Sequence, residues 1–357
     1  AGCSLTITEM NDFIPITKPL PASLVGQATE KPFNGKSGNS ATLSALLKDS
    51  EVRITDDVEK PDPCIEIRQE GKQIPVATFG NISLIIGKAK SRKTFLVSLF
   101  ISTWLKERSL YCLSGNPTTE KSTVLLFDTE QSKFHIHRLV RRCYALAGID
   151  PNRDLFNFKV YGLRKHSPEE RLKLIQHAVY STREVGLVVI DGIKDLLMDI
   201  NSPFESTSLS SHVMKWSEEL DIHVMTVLHA NKGDNNARGH LGTELVNKAE
   251  SVISVAKMED NKNVSLVSSE YSRDVPFEPF AFQITDTGLP EILDDFNFPG
   301  EMKKKSYHPT DFDIAVQKEI VERVFQNNPD LGYQETWQGI KTALGKYQIQ
   351  LGDNKAN

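Results

Sequence analysis

Residues 81–104, NISLIIGKAKSRKTFLVSLFISTW, divide into a short apolar strand at 82–86, a polar loop, and an apolar helix that starts near Lys93. The loop follows the pattern G-x-x-x-x-G-K-[ST]. In that pattern backbone N–H groups at a helix N-terminus wrap phosphate oxygens, the lysine neutralises them, and the hydroxyl reaches a magnesium ion. Gly87, Lys88, Ala89, Lys90, Ser91, Arg92, Lys93, Thr94 and Phe95 are therefore the candidate phosphate-binding residues. One position departs from the pattern. Arg92 stands where the second glycine belongs, and the expectation is that its φ stays negative and its side chain swings out of the cradle.

Working outward, 64–78 alternates around Glu70-Gly71-Lys72, the signature of a β-hairpin. Downstream, a buried strand at 122–127 runs into Asp128-Thr129-Glu130, and 134–147 has helical spacing at Ile136, Leu139, Val140, Cys143 and Leu146. A strand at 155–161 precedes a helix opened by Ser167-Pro168-Glu169-Glu170, an N-cap, a first-turn proline and a capping-box glutamate. The run VGLVVI at 185–190 is apolar throughout, as in a parallel strand buried on both faces, and Asp191 follows it. A helix at 208–220 leads to a fifth strand at 222–228, which ends at His229. Beyond a Gly- and Asn-rich loop at 233–242, residues 251–284 turn to hairpin-like alternation. This order predicts an α/β fold: a doubly wound, mostly parallel sheet with antiparallel C-terminal strands and a small helical C-terminal tail. In such a sheet the polar groups at several strand ends share one crevice.

Three regions are expected: an extended N-terminal arm at 1–60, the main domain at 61–297, and a linker with a helical tail at 298–357. The arm carries Pro15, Pro19, Pro21 and Pro32, with Pro61 and Pro63 just past it, and one helix at 40–47, which is expected to dock on a neighbouring subunit or to tether loosely. The tail, with helices at 311–325 and 334–344, resembles the opening of a winged helix-turn-helix. Among the 357 residues 39% are hydrophobic and 25% charged, enough to build a globular core. A net charge of −5 excludes a global basic field, so nucleic-acid contact must come from a local patch. The candidates are Arg138, Arg141 and Arg142, the loop at 232–240, and Lys303-Lys304-Lys305. Cys3, Cys64, Cys112 and Cys143 lack metal or disulfide spacing, and no run is long enough to span a membrane; both point to a cytoplasmic protein with no membrane partner.

Asp191 is placed to bind a magnesium ion together with the Thr94 hydroxyl. Glu130, at an adjacent strand end, can orient and deprotonate an attacking water, and His229 can sense the terminal phosphate. A rival motif is Asn231-Lys232-Gly233-Asp234, the N-K-x-D of guanine-reading GTPases, but Asp191-Gly192-Ile193-Lys194 lacks the accompanying D-x-x-G.

The series GKAKSRKT, VLLFDTEQ, HIHRLVRR, LVVIDGI, VLHANKG and RGHLGTEL resembles the RecA-type P-loop ATPases, especially RepA-type replicative hexameric helicases and mobile-element-encoded ATPases, over residues 64–290. The resemblance implies a RecA-like fold, ATP and Mg²⁺ as cofactors, a homo-oligomeric ring or filament, and single-stranded DNA as partner. It implies Lys93 and Thr94 as phosphate and metal ligands, Glu130 as catalytic carboxylate, Asp191 as second metal ligand and His229 as sensor. Arg238 or Arg273 is the implied arginine that enters a neighbour's active site. The competing expectations are a regulatory switch ATPase that acts on protein partners without moving along DNA, and a scaffold that binds nucleotide without turning it over.

Overall fold

The computed structural model describes residues 37–106, 109–231, 236–258, 261–293 and 314–326, with isolated positions between 332 and 342. The expected linker at 295–310 with its lysine run, most of the second tail helix, and Lys232, Gly233 and Asp234 of the N-K-x-D motif lie outside the described residues.

The chain divides into two units, residues 1–60 and 61–357. In the first, helix α1 (Ser37–Asp49) takes in the expected 40–47 and leaves Leu43, Leu46 and Leu47 exposed. The second unit opens with the predicted hairpin, β1 (Pro63–Gln69) and β2 (Lys72–Thr78). Glu70 and Gly71 both take positive φ, 50° and 75°, as a two-residue hairpin turn requires. This hairpin does not join the main sheet. It pairs with a short strand the sequence reading lacks, β4 (Leu113–Gly115), in a three-stranded sheet.

Among the described residues the main sheet has nine strands. Its parallel part is built from β3 (Ile82–Gly87), β5 (Thr123–Asp128), β6 (Phe158–Gly162), β7 (Val185–Asp191) and β8 (His223–His229). On the other side of β3 come β9 (Ser251–Lys257), parallel to it, and then the antiparallel strands β10 (Val264–Ser272), β11 (Phe280–Ile284) and β12 (Pro290–Leu293). The spatial order is β12-β11-β10-β9-β3-β8-β7-β5-β6, so the phosphate-loop strand is separated from the Asp191 strand by the His229 strand.

Successive side chains of one strand enter opposite cores: Leu187 and Val189 pack with α2 (Lys93–Lys106) and α3 (Lys133–Ala147). Val188 and Ile190 pack with α4 (Pro168–Ser181), α5 (Pro203–Leu220) and α6 (Gly239–Lys248). This two-sided burial explains why the 185–190 run is wholly apolar. The fold is therefore the predicted doubly wound, mostly parallel α/β sheet with antiparallel C-terminal strands. Of the tail, α7 (Ile314–Phe325) is described.

Two helix readings need correction. Helix α5 begins at Pro203, five residues before the expected Ser208, because Ser202-Pro203-Phe204-Glu205 repeats the start signal of α4: the Ser202 hydroxyl accepts from the Glu205 N–H at 3.2 Å. Helix α6 occupies the end of the expected glycine-rich loop. Its glycines look like helix breakers, yet Gly242 is there for contact: a Cβ would lie 2.5 Å from the Ala237 carbonyl carbon.

Candidate active site

The parallel register gathers the chemistry at one edge of the sheet. Asp128 pairs with Asp191 across β5 and β7, and Gly87 pairs with His229 across β3 and β8, so all four stand at C-terminal strand ends. Together with the N-terminal turn of α2 and one face of α3, Asp128, Asp191 and His229 line a cleft of about 500 Å³.

The phosphate loop folds tightly at its first residue. A Cβ on Gly87 would sit 2.3 Å from the Val255 carbonyl oxygen and 2.6 Å from Ser91 Oγ, so only glycine fits. Arg92 corrects the expectation in part. Its φ is +76°, in the left-handed region, and Lys90 joins it at +64°. The side chain does leave the cradle: its guanidinium donates to the Lys262 carbonyl at 2.8 Å and to Ser265 Oγ at 3.3 Å, on β10 and the turn before it. These anchors offset a left-handed backbone that costs about 1–2 kcal/mol in a residue with a Cβ.

Lys93 turns back over the loop. Its ammonium donates to the carbonyls of Gly87 at 2.8 Å and Lys88 at 3.1 Å and meets His229 Nδ1 at 3.1 Å. Burial pulls its pKa down to about 8, against the pull of Asp191 and Glu130 in the other direction. Thr94 Oγ1 donates to Asp191 Oδ2 at 2.8 Å. Burial, together with the neighbouring Asp128 and Glu130, pushes the Asp191 carboxyl up to about 6, although the Thr94 hydrogen bond opposes the shift.

Glu130 Oε1 faces His229 Nε2 at 3.4 Å and Lys194 Nζ at 3.3 Å. The His229 contact first, and then Lys194, hold its carboxyl down at about 2 against the effect of burial. While both contacts stand, Glu130 is a weak base. An anion that draws Lys194 and His229 toward itself frees the carboxylate and raises its basicity.

Sequence reasoning missed two residues that position this group. Asp128 Oδ1 accepts from the N–H groups of Glu130 at 3.0 Å and Gln131 at 2.7 Å, an Asx turn that aims Glu130 into the cleft. Lys194 sits in the 3-10 turn after Gly192, which enters it with φ 99°. The legible signals were an Asp two residues before the glutamate and a lysine one turn past Asp191.

A nucleotide with magnesium fits these residues. Ser91 Oγ is buried with no hydrogen-bond partner, a polar atom in the loop that phosphate oxygens would satisfy. The oxygen pair of Thr94 and Asp191 suits Mg²⁺, which takes one or two protein oxygens and completes its shell with phosphates and water. No cluster of three or more His, Cys, Asp or Glu side chains suited to a metal occurs among the described residues.

The AAA domain family matches residues 52–235. The chain belongs to this AAA-domain family of P-loop NTPases. The AAA-domain match takes in the phosphate loop, Glu130, Asp191 and His229, and it ends before Arg238 and Arg273. Among solved structures, the crystal structure of the RadB recombinase is similar to this chain at 15% sequence identity, over 59% of this chain and 90% of that one, with a TM-score of 0.43. No curated protein matches the sequence.

The two arginines are not brought into the AAA-domain cleft of their own chain. Arg238 is exposed at the start of α6, its N–H bonded to the His229 carbonyl at 3.2 Å. Arg273 is exposed just past β10, at the opposite edge of the sheet, where its guanidinium donates to the Lys248 carbonyl at 3.0 Å. Of the three arginines of α3, Arg138 and Arg141 are exposed, but Arg142 turns inward and lines the cleft, which removes it from the candidate nucleic-acid patch. No helix among the described residues is long and apolar enough to cross a membrane.

Proposed function

We propose that this AAA-domain protein hydrolyses ATP with Mg²⁺ as a RecA-like homo-oligomer coupled to single-stranded DNA, in the manner of a replicative helicase or mobile-element ATPase. The observation that carries the hydrolytic part is the convergence, at one sheet edge, of a buried Lys93, the Thr94–Asp191 hydrogen bond at 2.8 Å and the Asp128-oriented Glu130.

In this reading the loop N–H groups and the Lys93 ammonium bind phosphate oxygens, and Thr94 with Asp191 holds the magnesium ion. When bound, Mg²⁺ draws negative charge off the transferring phosphate. Glu130 orients the attacking water and takes its proton on a carboxylate oxygen once His229 and Lys194 have turned toward the terminal phosphate. His229 thereby reports phosphate occupancy to β8 and to Arg238, whose N–H is bonded to the His229 carbonyl. The DNA part rests on the resemblance of the motif series and on the exposed Arg138 and Arg141.

The test is phosphate release with and without single-stranded DNA, across a salt series, beside Lys93→Ala. The expected outcome is turnover that rises with DNA, falls with salt, and drops to background in Lys93→Ala. Turnover indifferent to DNA supports the regulatory switch that acts on protein partners, and ATP binding without phosphate release supports the scaffold.

A further inference from the structure

The β9–β10 hairpin supports the phosphate loop at both ends, although it lies far along the chain from it. At the start of the loop, the β9 carbonyl of Val255 comes so near Gly87 that a Cβ there would lie 2.3 Å from its oxygen. At the end of the loop stands Ser265, the second residue of β10 and fully buried. Its hydroxyl donates to the Ser91 carbonyl at 3.4 Å and accepts from Arg92 Nη1 at 3.3 Å. Arg92 Nη2 reaches the Lys262 carbonyl at 2.8 Å, in the turn between the two strands. Lys257, the last residue of β9, lines the cleft from the same hairpin. We infer that Ser265 is a positioning residue of the phosphate site: through the Ser91 carbonyl and the Arg92 side chain it holds the 91–92 peptide in a phosphate-binding orientation. The inference rests on the nucleotide-binding reading of the cleft.

The reason lies in the missing glycine. A peptide unit is planar and trans, so its C=O and N–H point in opposite directions. With the Ser91 carbonyl turned to Ser265, the Arg92 N–H is turned away from β10. The N–H groups that follow it, at Lys93 and Thr94, open α2 and have no acceptor within the helix. Such donors are what a phosphate oxygen meets at a helix N-terminus. A glycine at position 92 would hold the left-handed φ of 76° at no steric cost. An arginine does not, and rotation of the 91–92 peptide is its route to an ordinary φ. That rotation exchanges the two ends of the peptide dipole, putting a carbonyl oxygen where the N–H stood, and an oxygen there repels an anion. The Ser265 hydroxyl opposes it twice, once at the carbonyl that would have to turn and once at the side chain of the strained residue. Ser265 is thus what allows an arginine to stand in the place of a glycine.

The experiment is isothermal titration of the full chain with Mg-ATP and with inorganic tripolyphosphate, which carries the phosphates and lacks the base. Ser265→Ala is expected to weaken both probes by the same factor, about fivefold, as loss of a hydrogen bond that orients the loop does. Arg92→Gly is expected to bind both probes at least as tightly as wild type. Adding Ser265→Ala to Arg92→Gly is expected to cost less than about twofold, since glycine keeps the loop shape unaided. Retained binding in that double variant also shows that the serine substitution leaves the protein folded. An equal loss in both backgrounds overturns the inference, because Ser265 would then act without Arg92. Unchanged binding in Ser265→Ala overturns it as well, as does a loss confined to Mg-ATP, which would put the effect away from the phosphates. If wild type binds neither probe, the underlying nucleotide reading fails instead.

Discussion

At Arg92 the residue and its backbone disagree, and the side chain settles the matter. A left-handed φ at a residue with a Cβ costs about 1–2 kcal/mol, and the hydrogen bonds to the Lys262 carbonyl and Ser265 Oγ return about 0.5–1.5 kcal/mol each. The two terms nearly cancel in the wild type, so substitution separates them. Arg92→Ala keeps the strain and loses the anchors, whereas Arg92→Gly loses both; the glycine protein is expected to be the more stable of the two by about 1 kcal/mol, read as a difference in urea midpoints. Equal midpoints would mean that residue 92 does not hold φ near +76° in solution. This feature was hidden in the sequence because the pattern says only that a glycine is missing. Whether a chain meets that loss by changing φ or by anchoring the side chain depends on what lies opposite, here a turn about 170 residues downstream. The places of Asp191, Glu130 and His229 at one sheet edge were legible because Asp191 and His229 close apolar strands and Glu130 stands two residues past one. Asp128 and Lys194 were less so, since their work is to hold Glu130, and such work has no spacing rule.

Among the elements, strands and amphipathic helices were legible wherever burial is two-sided or periodic, as in β7 and α3. Elements held by close contact were not: β4 is three residues long, and α6 begins among glycines of which Gly242 is demanded by the close approach of the Ala237 backbone. The same holds at the lower edge of the sheet, where β8 is tied to its neighbours by a histidine. His223 is fully buried, its Nδ1 2.8 Å from the Thr78 carbonyl oxygen and its Nε2 2.8 Å from Ser83 Oγ. Glu250, 3.5 Å away, accepts from the Thr78 N–H and hydroxyl and has its own carboxyl raised by burial. Burial pulls the His223 pKa down to about 4, so the folded protein resists protonating a ring that the unfolded chain protonates near its ordinary value of 6.5. The sign follows: the contribution of neutral His223 is fully present above pH 6.5 and is lost as pH falls from there toward 4, up to about 3 kcal/mol. Protonation of Glu250, whose carboxyl burial raises, acts the other way. Urea unfolding at pH 7.5 and pH 5 is expected to show a loss of stability in wild type that is much smaller in His223→Gln. The same loss in both proteins would assign the acid sensitivity to other groups.

For the whole molecule, the placement of the two arginines bears on whether one chain makes a complete site. The cleft holds Lys93, the hydrogen-bonded Thr94–Asp191 pair and Glu130, yet Arg238 and Arg273 stand exposed outside it, and Arg273 lies at the far edge of the sheet, about four β9 residues or on the order of 15 Å below the loop by strand rise. We propose that one of them completes the site of an adjacent copy, in a head-to-tail assembly where every interface pairs one subunit's loop with its neighbour's arginine. Such an arrangement makes a distinctive demand. A Lys93→Ala subunit cannot use its own site but still carries both arginines, and an arginine variant has an intact loop but nothing to offer its neighbour. Each protein alone is expected to bind or assemble while releasing phosphate poorly. Mixed in equal amounts and allowed to exchange, about one interface in four pairs an intact loop with an intact arginine, so roughly a quarter of wild-type turnover is expected to return. Arg238→Ala and Arg273→Ala are mixed with Lys93→Ala separately, and the pair that regains activity names the residue. If Lys93→Ala restores neither, or if both arginine variants hydrolyse ATP normally alone, the site is complete within one chain and oligomerisation must serve something other than the chemistry.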